Sequence, residues 1–247
     1  KKAGLSWSLP ASLAVASAMA GTADFKIARH NVIREIILNH LDRRLIEDND
    51  FYFGGGTLCS MKFGEYRESV DIDFLSCSRS GAVQLKLNSA SITDLPLWQN
   101  REPKVDKDGV RMWCEYNGVC FKLEFIFESR IKFLRPERFR DILSLDSVSL
   151  MACKFLANSD RGYTAFEARK DITDILAIYG VEPQALRPAW DIAFDAYGSW
   201  LQRCTRISLD RDRFDETLET VGVEPERRKE FSDLLLKLSE EIKPLLD

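Results

Sequence analysis

The hydrophobic pattern of this 247-residue chain changes its period near residue 140, and this change constrains the fold most strongly. In residues 101–127, shortly before that point, apolar and polar residues alternate, as in Val119–Phe127, which is typical of strands with one buried face. The Asn117-Gly118 pair between two such runs predicts a two-residue hairpin. After that point apolar residues recur every three or four positions, which is typical of helices. The predicted helices span 146–157, 164–179, 184–203, 211–221 and 225–244.

This order of patterns predicts an α+β fold. A mixed β-sheet lobe, residues 1–140, would be followed by a helical C-terminal lobe, residues 141–247, that completes a cleft between them. Earlier in the chain, apolar periodicity predicts a helix, two short strands and one or two helical turns between those strands. These elements span 24–46, 51–53, 70–75 and 58–63 respectively.

Composition and charge exclude several classes of protein. Lys and Arg number 35 against 39 Asp and Glu, so the net charge of −4 argues against a general nucleic-acid coat protein. The sequence has no run of about 20 apolar residues that could span a membrane. The six cysteines form no Cys-x-x-Cys pair, which favours a reduced, cytoplasmic compartment. An export signal formed by Lys1-Lys2 and the Ala-rich stretch 11–20 is the alternative.

Two acidic residues lie two positions apart in the predicted strand 70–75. Asp71 and Asp73 would project from one face of that strand, while its apolar residues point into the core. Two neighbouring carboxylates repel each other when both are ionised, and a divalent cation between them removes that repulsion. The pair therefore predicts a metal site, and an exposed acidic strand face is the alternative.

A third acid, Glu124, lies in the strand that follows the hairpin. Lys122 and Glu124 would face one side of this strand, and its phenylalanines the other. This strand can pair beside residues 70–75. Glu124 would then join Asp71 and Asp73 in an all-oxygen site suited to Mg²⁺ or Mn²⁺. Taken alone, Glu124 is equally well interpreted as a surface acid.

Glycines stand where the first predicted strand meets the predicted helical turns. Gly55 and Gly56 would let the backbone approach a phosphate closely, and free N–H groups at a helix start attract negative charge. Arg67 and Ser69 precede the acid pair and are placed to donate hydrogen bonds to phosphate oxygens. Gly-Gly turns are common, but this one ends at Thr57, 14 residues before the acid pair, which favours a nucleotide site.

The segments GGT at 55–57 and RESVDIDF at 67–74 resemble the signature of the DNA-polymerase-β-like nucleotidyltransferase superfamily. Within it, the chain is similar to the AbiEii/AbiGii-type toxins of type IV toxin–antitoxin and abortive-infection systems. The helix sequences LMACKF at 150–155 and RKDITD at 169–174 fit the same pattern. The resemblance covers about residues 24–180, and the segment after 181 matches nothing in the pattern.

This resemblance implies a nucleotidyltransferase-type sheet and a role for each matching residue. The residues implied to bind the metal, and to be catalytic together with Lys154, are Asp71, Asp73 and Glu124. The residues implied to bind the nucleotide are Gly55, Gly56, Thr57, Arg67, Ser69, Lys154, Lys170, Asp171 and Asp174. Lys170 and Asp174 lie four positions apart, so a simple helix salt bridge is the alternative for that pair.

A basic run surrounds Pro136 between the two predicted lobes; it consists of Arg130, Lys132, Arg135, Arg138 and Arg140. An RNA acceptor would need such a phosphate-contacting surface. A solvated connection between the lobes explains the same residues equally well.

The residues and the resemblance together predict a Mg²⁺-dependent enzyme that moves NMP from an NTP to an acceptor, which we expect to be RNA such as tRNA. The resemblance also implies an antitoxin that forms no stable complex with the toxin. A catalytically inactive NTP-binding module and a small-molecule nucleotidyltransferase, such as one acting on aminoglycosides, are the alternatives. A protein-modifying enzyme also stays open.

Overall fold

The computed structural model describes residues 24–162, 165–211 and 214–246, with the backbone alone over 165–169. The Ala-rich stretch 11–20, considered as an export signal, lies outside these residues. Within them, the strands form one seven-stranded sheet in the order β3-β4-β5-β2-β1-β7-β6. The strands are β1 (Tyr52–Gly54), β2 (Ile72–Ser76), β3 (Lys104–Asp106), β4 (Gly109–Tyr116), β5 (Val119–Phe127), β6 (Glu137–Phe139) and β7 (Ile142–Ser144).

The sheet is mixed, and its one long parallel pairing matters for function. β2 pairs in parallel with β5, and β1 pairs in parallel with β7. The remaining neighbours are antiparallel. The predicted hairpin is present, with Asn117 and Gly118 at φ of 51° and 77°, as a two-residue turn requires.

Helices flank the sheet and make up the C-terminal half of the described chain. They are α1 (Ala28–Asn39), α2 (Arg43–Glu47), α3 (Gly55–Lys62), α4 (Arg79–Leu87), α5 (Ser147–Arg161), α6 (Ala165–Val181), α7 (Leu186–Tyr197), α8 (Ser199–Ser208), α9 (Phe214–Thr220) and α10 (Pro225–Leu246). None of these helices is long and apolar enough to cross a membrane. A mixed sheet followed by a mostly helical C-terminal region confirms the predicted α+β fold class.

The prediction of one helix over 24–46 is wrong. The chain leaves the helical path after α1, because Leu41 forms a β-bridge with Thr93. Asp42 then starts α2 by accepting a hydrogen bond from the backbone N–H of Leu45 at 3.0 Å. Apolar periodicity continues through this break, so the periodicity alone could not reveal it.

Other predicted elements differ in detail. The helix predicted over 184–203 is two helices, α7 and α8, separated by Gly198 at φ of 54°. The short strands β6 and β7 and the helix α4 were not predicted. β7 ends at Ser144, so the sheet continues past residue 140. The division into lobes 1–140 and 141–247 stays a prediction.

One hydrophobic cluster runs from the sheet into the C-terminal helices. Phe74 of β2 stacks on Phe125 of β5, with ring centroids 5.2 Å apart. On the other side of the cluster, α5 packs against α6, α7 and α8. Because side chains alternate along a strand, Phe74 and Phe125 bury one face of the sheet and leave Asp73 and Glu124 on the opposite face.

The start of α5 provides a test of the helical half. Asp146 caps this helix by accepting hydrogen bonds from the backbone N–H groups of Val148 and Ser149, at 2.9 and 3.0 Å. Asp146→Ala should lower the free energy of unfolding by about 1 kcal/mol, because two N–H groups lose their acceptor. Urea titration measures this, and Asp195→Ala, an exposed aspartate of α7, is the matched control. Equal stability of the two variants would contradict the capping role.

Candidate active site

The parallel pairing of β2 with β5 brings the predicted acids together. Asp73 is the register partner of Glu124, and Asp71 immediately precedes β2. All three residues are partly buried, whereas Ile72 between the aspartates is fully buried in the core. The structure therefore places the three acids on one face of two adjacent strands.

Burial and repulsion between neighbouring acids raise the pKa values of both aspartates. Burial, together with the charges of Asp71 and Glu124, raises the pKa of Asp73 to about 7. Burial also raises the pKa of Asp71, although the charges of Lys122 and Lys170 oppose this shift. Burial is the main cause of both shifts, and repulsion from the neighbouring acids adds to it.

Glu124 is held by two cations that are not among the predicted site residues. Arg111 on β4 donates from Nε to Glu124 Oε1 at 2.7 Å, and Lys122 forms an ion pair with Oε2. The other end of the Arg111 guanidinium donates to Asp106 at 2.6 Å. In this arrangement, no group of three or more His, Cys, Asp or Glu side chains within the described residues is positioned to hold a metal ion.

The glycine turn lies directly against the acids. β1 ends at Gly54 and α3 begins at Gly55, whose φ of 69° is in the region that favours glycine. A Cβ atom on Gly55 would overlap the Asp73 carboxylate, so the close approach requires glycine. The start of a helix, with its free N–H groups, is thereby placed beside the acid cluster.

Thr57 and Ser69 hold this turn to the segment that precedes β2. The Thr57 hydroxyl lies 2.9 Å from Ser69 Oγ and also contacts the carbonyl oxygen of Asp71. Thr57 is fully buried. The contacts of these two hydroxyl groups thus fix the position of Asp71 relative to α3.

Asp174 of α6 is a buried carboxylate that pairs with two predicted phosphate-binding cations, Arg67 and Lys154, near the glycine turn. Arg67 donates to it from Nε at 3.1 Å and from Nη2 at 2.8 Å, and Lys154 Nζ lies 2.6 Å from its other oxygen. Tyr66 donates its hydroxyl to the same carboxylate. Burial alone would raise the pKa of Asp174, but Arg67 and Lys154 hold this pKa below its usual range.

Lys170 and Asp171, the two other polar residues predicted on α6, occupy different environments. Asp171 is buried, with its carboxylate 3.5 Å from Lys154 Nζ and in contact with Arg161. Lys170 is exposed, and its charge acts on Asp71. The simple Lys170–Asp174 pair is not what positions Asp174, since Arg67, Lys154 and Tyr66 surround that carboxylate.

Sequence reasoning missed Arg111 as a partner of Glu124. A two-residue hairpin at Asn117-Gly118 places residues with position numbers summing to 235 opposite each other, which pairs Arg111 with Glu124. Counting back from the turn would therefore have found it. The role of Tyr66 had no such signal, because its contact with Asp174 joins residues that are 108 positions apart.

Most residues of the basic run contact other residues of the protein. Arg130 pairs with Glu128 and Asp160, and Arg138 pairs with Glu47 at 3.1 Å. The Arg140 guanidinium lies over the Phe25 ring, 4.1 Å from its centroid. The exposed members with no ion pair or hydrogen bond in the described part of the chain are Lys132 and Arg135.

A family model described as "Nucleotidyl transferase AbiEii toxin, Type IV TA system" matches residues 36–244. The chain belongs to this family. It is therefore a nucleotidyltransferase, and membership implies an NTP substrate and an antitoxin counterpart in a type IV system. The match extends far beyond the motifs and includes the C-terminal helices that sequence reasoning could not place.

Solved structures support the fold. A protein from H. pylori described as a candidate nucleotidyltransferase matches with a TM-score of 0.51 and 16% sequence identity, over 88% of this chain and 96% of that chain. At this identity the likeness shows the fold alone. The H. pylori protein JHP933 matches more weakly, with a TM-score of 0.44 and 16% identity, over 89% and 97% of the two chains. No curated protein matches the chain.

The buried ion cluster yields a test of what holds the site in place. Asp174→Asn removes one charge and retains the shape of the side chain, so Arg67 and Lys154 would be buried without a full counter-charge. The free energy of unfolding should fall by roughly 3–5 kcal/mol, the usual cost of breaking a buried ion pair from one side. Chemical denaturation measures this.

Asp71→Asn is the matched control for Asp174→Asn. It makes the same chemical change at a carboxylate whose ionised form is disfavoured by its surroundings. Its stability should equal or exceed that of the parent. Equal losses in the two variants would mean that Asp174 does not organise the cluster.

Proposed function

We propose that this nucleotidyltransferase uses Mg²⁺, or Mn²⁺, to transfer NMP from an NTP to an RNA acceptor such as tRNA. The observation that carries the proposal is the meeting of three features at one point of the sheet. These are the Asp71–Asp73 pair, the Glu124 carboxylate beside it, and the glycine turn against Asp73. Acids at this position bind cations, and the helix start beside them attracts phosphates.

The donor set fits a hard divalent cation. Every candidate ligand atom is a carboxylate oxygen, as Mg²⁺ and Mn²⁺ prefer. Burial, and then the charges of Asp71 and Glu124, raise the pKa of Asp73, and a divalent cation between the carboxylates would relieve the repulsion among them. Asp71 and Asp73 would hold the ion, and Glu124 would join them through Oε2 once Lys122 has moved away, while Arg111 keeps Oε1. The bound metal would polarise the phosphates and lower the pKa of the acceptor hydroxyl.

The protein's own residues would place the reactants. Backbone N–H groups of Gly55 and Gly56 would bind triphosphate oxygens at the start of α3. The acceptor oxygen attacks the α-phosphorus, the bond from that phosphorus to the bridging oxygen breaks, and pyrophosphate leaves. The hydroxyl proton passes to solvent. Lys170 is exposed and near enough for its charge to act on Asp71, and it would attract the departing pyrophosphate charge.

The residues under the turn would act mainly by positioning. Arg67 and Lys154 are buried against Asp174, with Asp171 close to Lys154, so their charges would reach the triphosphate through the turn above them. A Cβ atom on Gly56 would press against the Arg67 guanidinium, which shows how near this charge lies to the turn. Thr57 and Ser69 would keep the turn aligned with Asp71.

The biological setting follows from the same proposal. Residues 1–140 would supply the metal site and residues 141–247 the helices that close over the nucleotide. The enzyme would act in the cytoplasm, where NTPs and tRNA occur, and the free state of all six cysteines fits that compartment. The exposed Lys132 and Arg135 would contact acceptor phosphates. An antitoxin would oppose the toxin without forming a stable complex with it.

The test is labelling of total RNA with each α-labelled NTP in the presence of Mg²⁺. The parent should label an RNA band with one of the four nucleotides, and Asp71→Ala and Asp73→Ala should lose that labelling. Their melting temperatures should equal or exceed that of the parent, because each substitution removes one acid from a repelling cluster. Asp195→Ala, at the surface of α7, should keep full activity. Retained labelling in either site variant would contradict the metal assignment.

A further inference from the structure

The face of the sheet that carries the three acids also carries a lysine in register with them. Asp73 pairs with Glu124 across the parallel strands, and Ile72 pairs with Leu123. Extending the same register by one residue, to Asp71 just before β2, places Asp71 opposite Lys122, whose charge acts on it. Paired residues of parallel strands project from the same face at about the strand spacing of 4.8 Å. Lys122 therefore lies on the same face of the two strands as the three acids.

Lys122 and Arg111 hold Glu124 in different ways. Arg111 is fixed at both ends, since its guanidinium bonds to Glu124 and to Asp106. Lys122 reaches Glu124 with its flexible side chain, which is 32% exposed. The ammonium group of such a side chain can change partners, whereas the Arg111 guanidinium is held by two carboxylates.

We propose that Lys122 is an internal counter-ion that occupies the carboxylate cluster until a divalent cation displaces it, and that it thereby sets the metal affinity of the site. This inference rests on the proposed metal site. With Lys122 bound, one oxygen of Glu124 is blocked and the repulsion among the acids is partly relieved. A divalent cation that enters must push the ammonium aside. Lys122 is thus a positioning residue that acts through Glu124.

The consequence is that loss of Lys122 should improve metal binding. Lys122→Met removes the competing charge and keeps most of the side-chain volume. The protein should bind Mn²⁺ more tightly, on the order of tenfold, because a like charge a few ångströms from the ion is removed. Lys122→Arg keeps the charge and should bind Mn²⁺ no more tightly than the parent. A lysine needed only for folding would give no such gain.

The measurement is titration of the full-length protein with Mn²⁺, with the free ion followed by electron paramagnetic resonance. Lys237→Met, at an exposed position of α10, is the matched control and should leave the affinity unchanged. A Glu124→Gln background completes a double-mutant cycle. If Lys122 competes for Glu124, the gain from Lys122→Met should shrink in that background. Lys122→Gln replaces Lys122→Met if melting curves show the latter to be unfolded.

Two results distinguish failure of the counter-ion role from failure of the proposed metal site. Unchanged or weaker Mn²⁺ binding in Lys122→Met, combined with weak binding in Asp73→Ala, would overturn the counter-ion role and leave the metal site intact. Mn²⁺ binding that Asp73→Ala does not weaken would refute the metal site, and the counter-ion role with it. Tighter binding in Lys122→Met and weaker binding in Asp73→Ala would support both.

Discussion

The buried carboxylate of Asp174 is the interaction on which the site depends. It holds Arg67 beneath the glycine turn and Lys154 on α5, and so ties α6 to both. Burying charges is costly, and the cost is offset only when they pair with good geometry. Tyr66, which also donates to Asp174, packs against Phe231 of α10 with ring centroids 5.3 Å apart. The C-terminal helices thus help to support the turn, although they carry no motif of their own.

The Asp174 cluster, with Arg67 and Lys154, has its charges paired, whereas the acid cluster of the candidate metal site has an excess of negative charge. Asp71, Asp73 and Glu124 share one face of two strands, and their mutual repulsion is only partly relieved by Lys122 and Arg111. The Asp174 cluster has its charges paired within the protein, and the acid cluster keeps an excess of negative charge that a divalent cation would reduce. Regions that function by binding a ligand commonly retain such unbalanced charge.

Much of this arrangement could be predicted from the sequence, and what could not has physical reasons. The Asp71–Asp73 alternation and the Asn117-Gly118 turn are local signals, and the elements around them were predicted. The break after α1 depends on a bridge to Thr93, more than 50 residues away, which no local pattern encodes.

Side-chain partners were the least predictable feature, because folding rather than sequence spacing brings them together. Arg67 and Lys154 were expected to contact the phosphates, yet both lie against Asp174, and Lys154 is 87 residues from Arg67 along the chain. The residues that carry charge could be read from the sequence. The sequence could not show which of those charges the protein neutralises internally, because that depends on long-range pairing.

The most direct measurement is a crystal structure of the protein with Mn²⁺ and a non-hydrolysable NTP, with anomalous scattering used to locate the metal. We expect an anomalous peak between the carboxylates of Asp71 and Asp73, and triphosphate oxygens against the backbone N–H groups at the start of α3. We also expect Arg67 and Lys154 to remain on Asp174. A metal bound elsewhere, with these two aspartates left without it, would contradict the assignment of the active site.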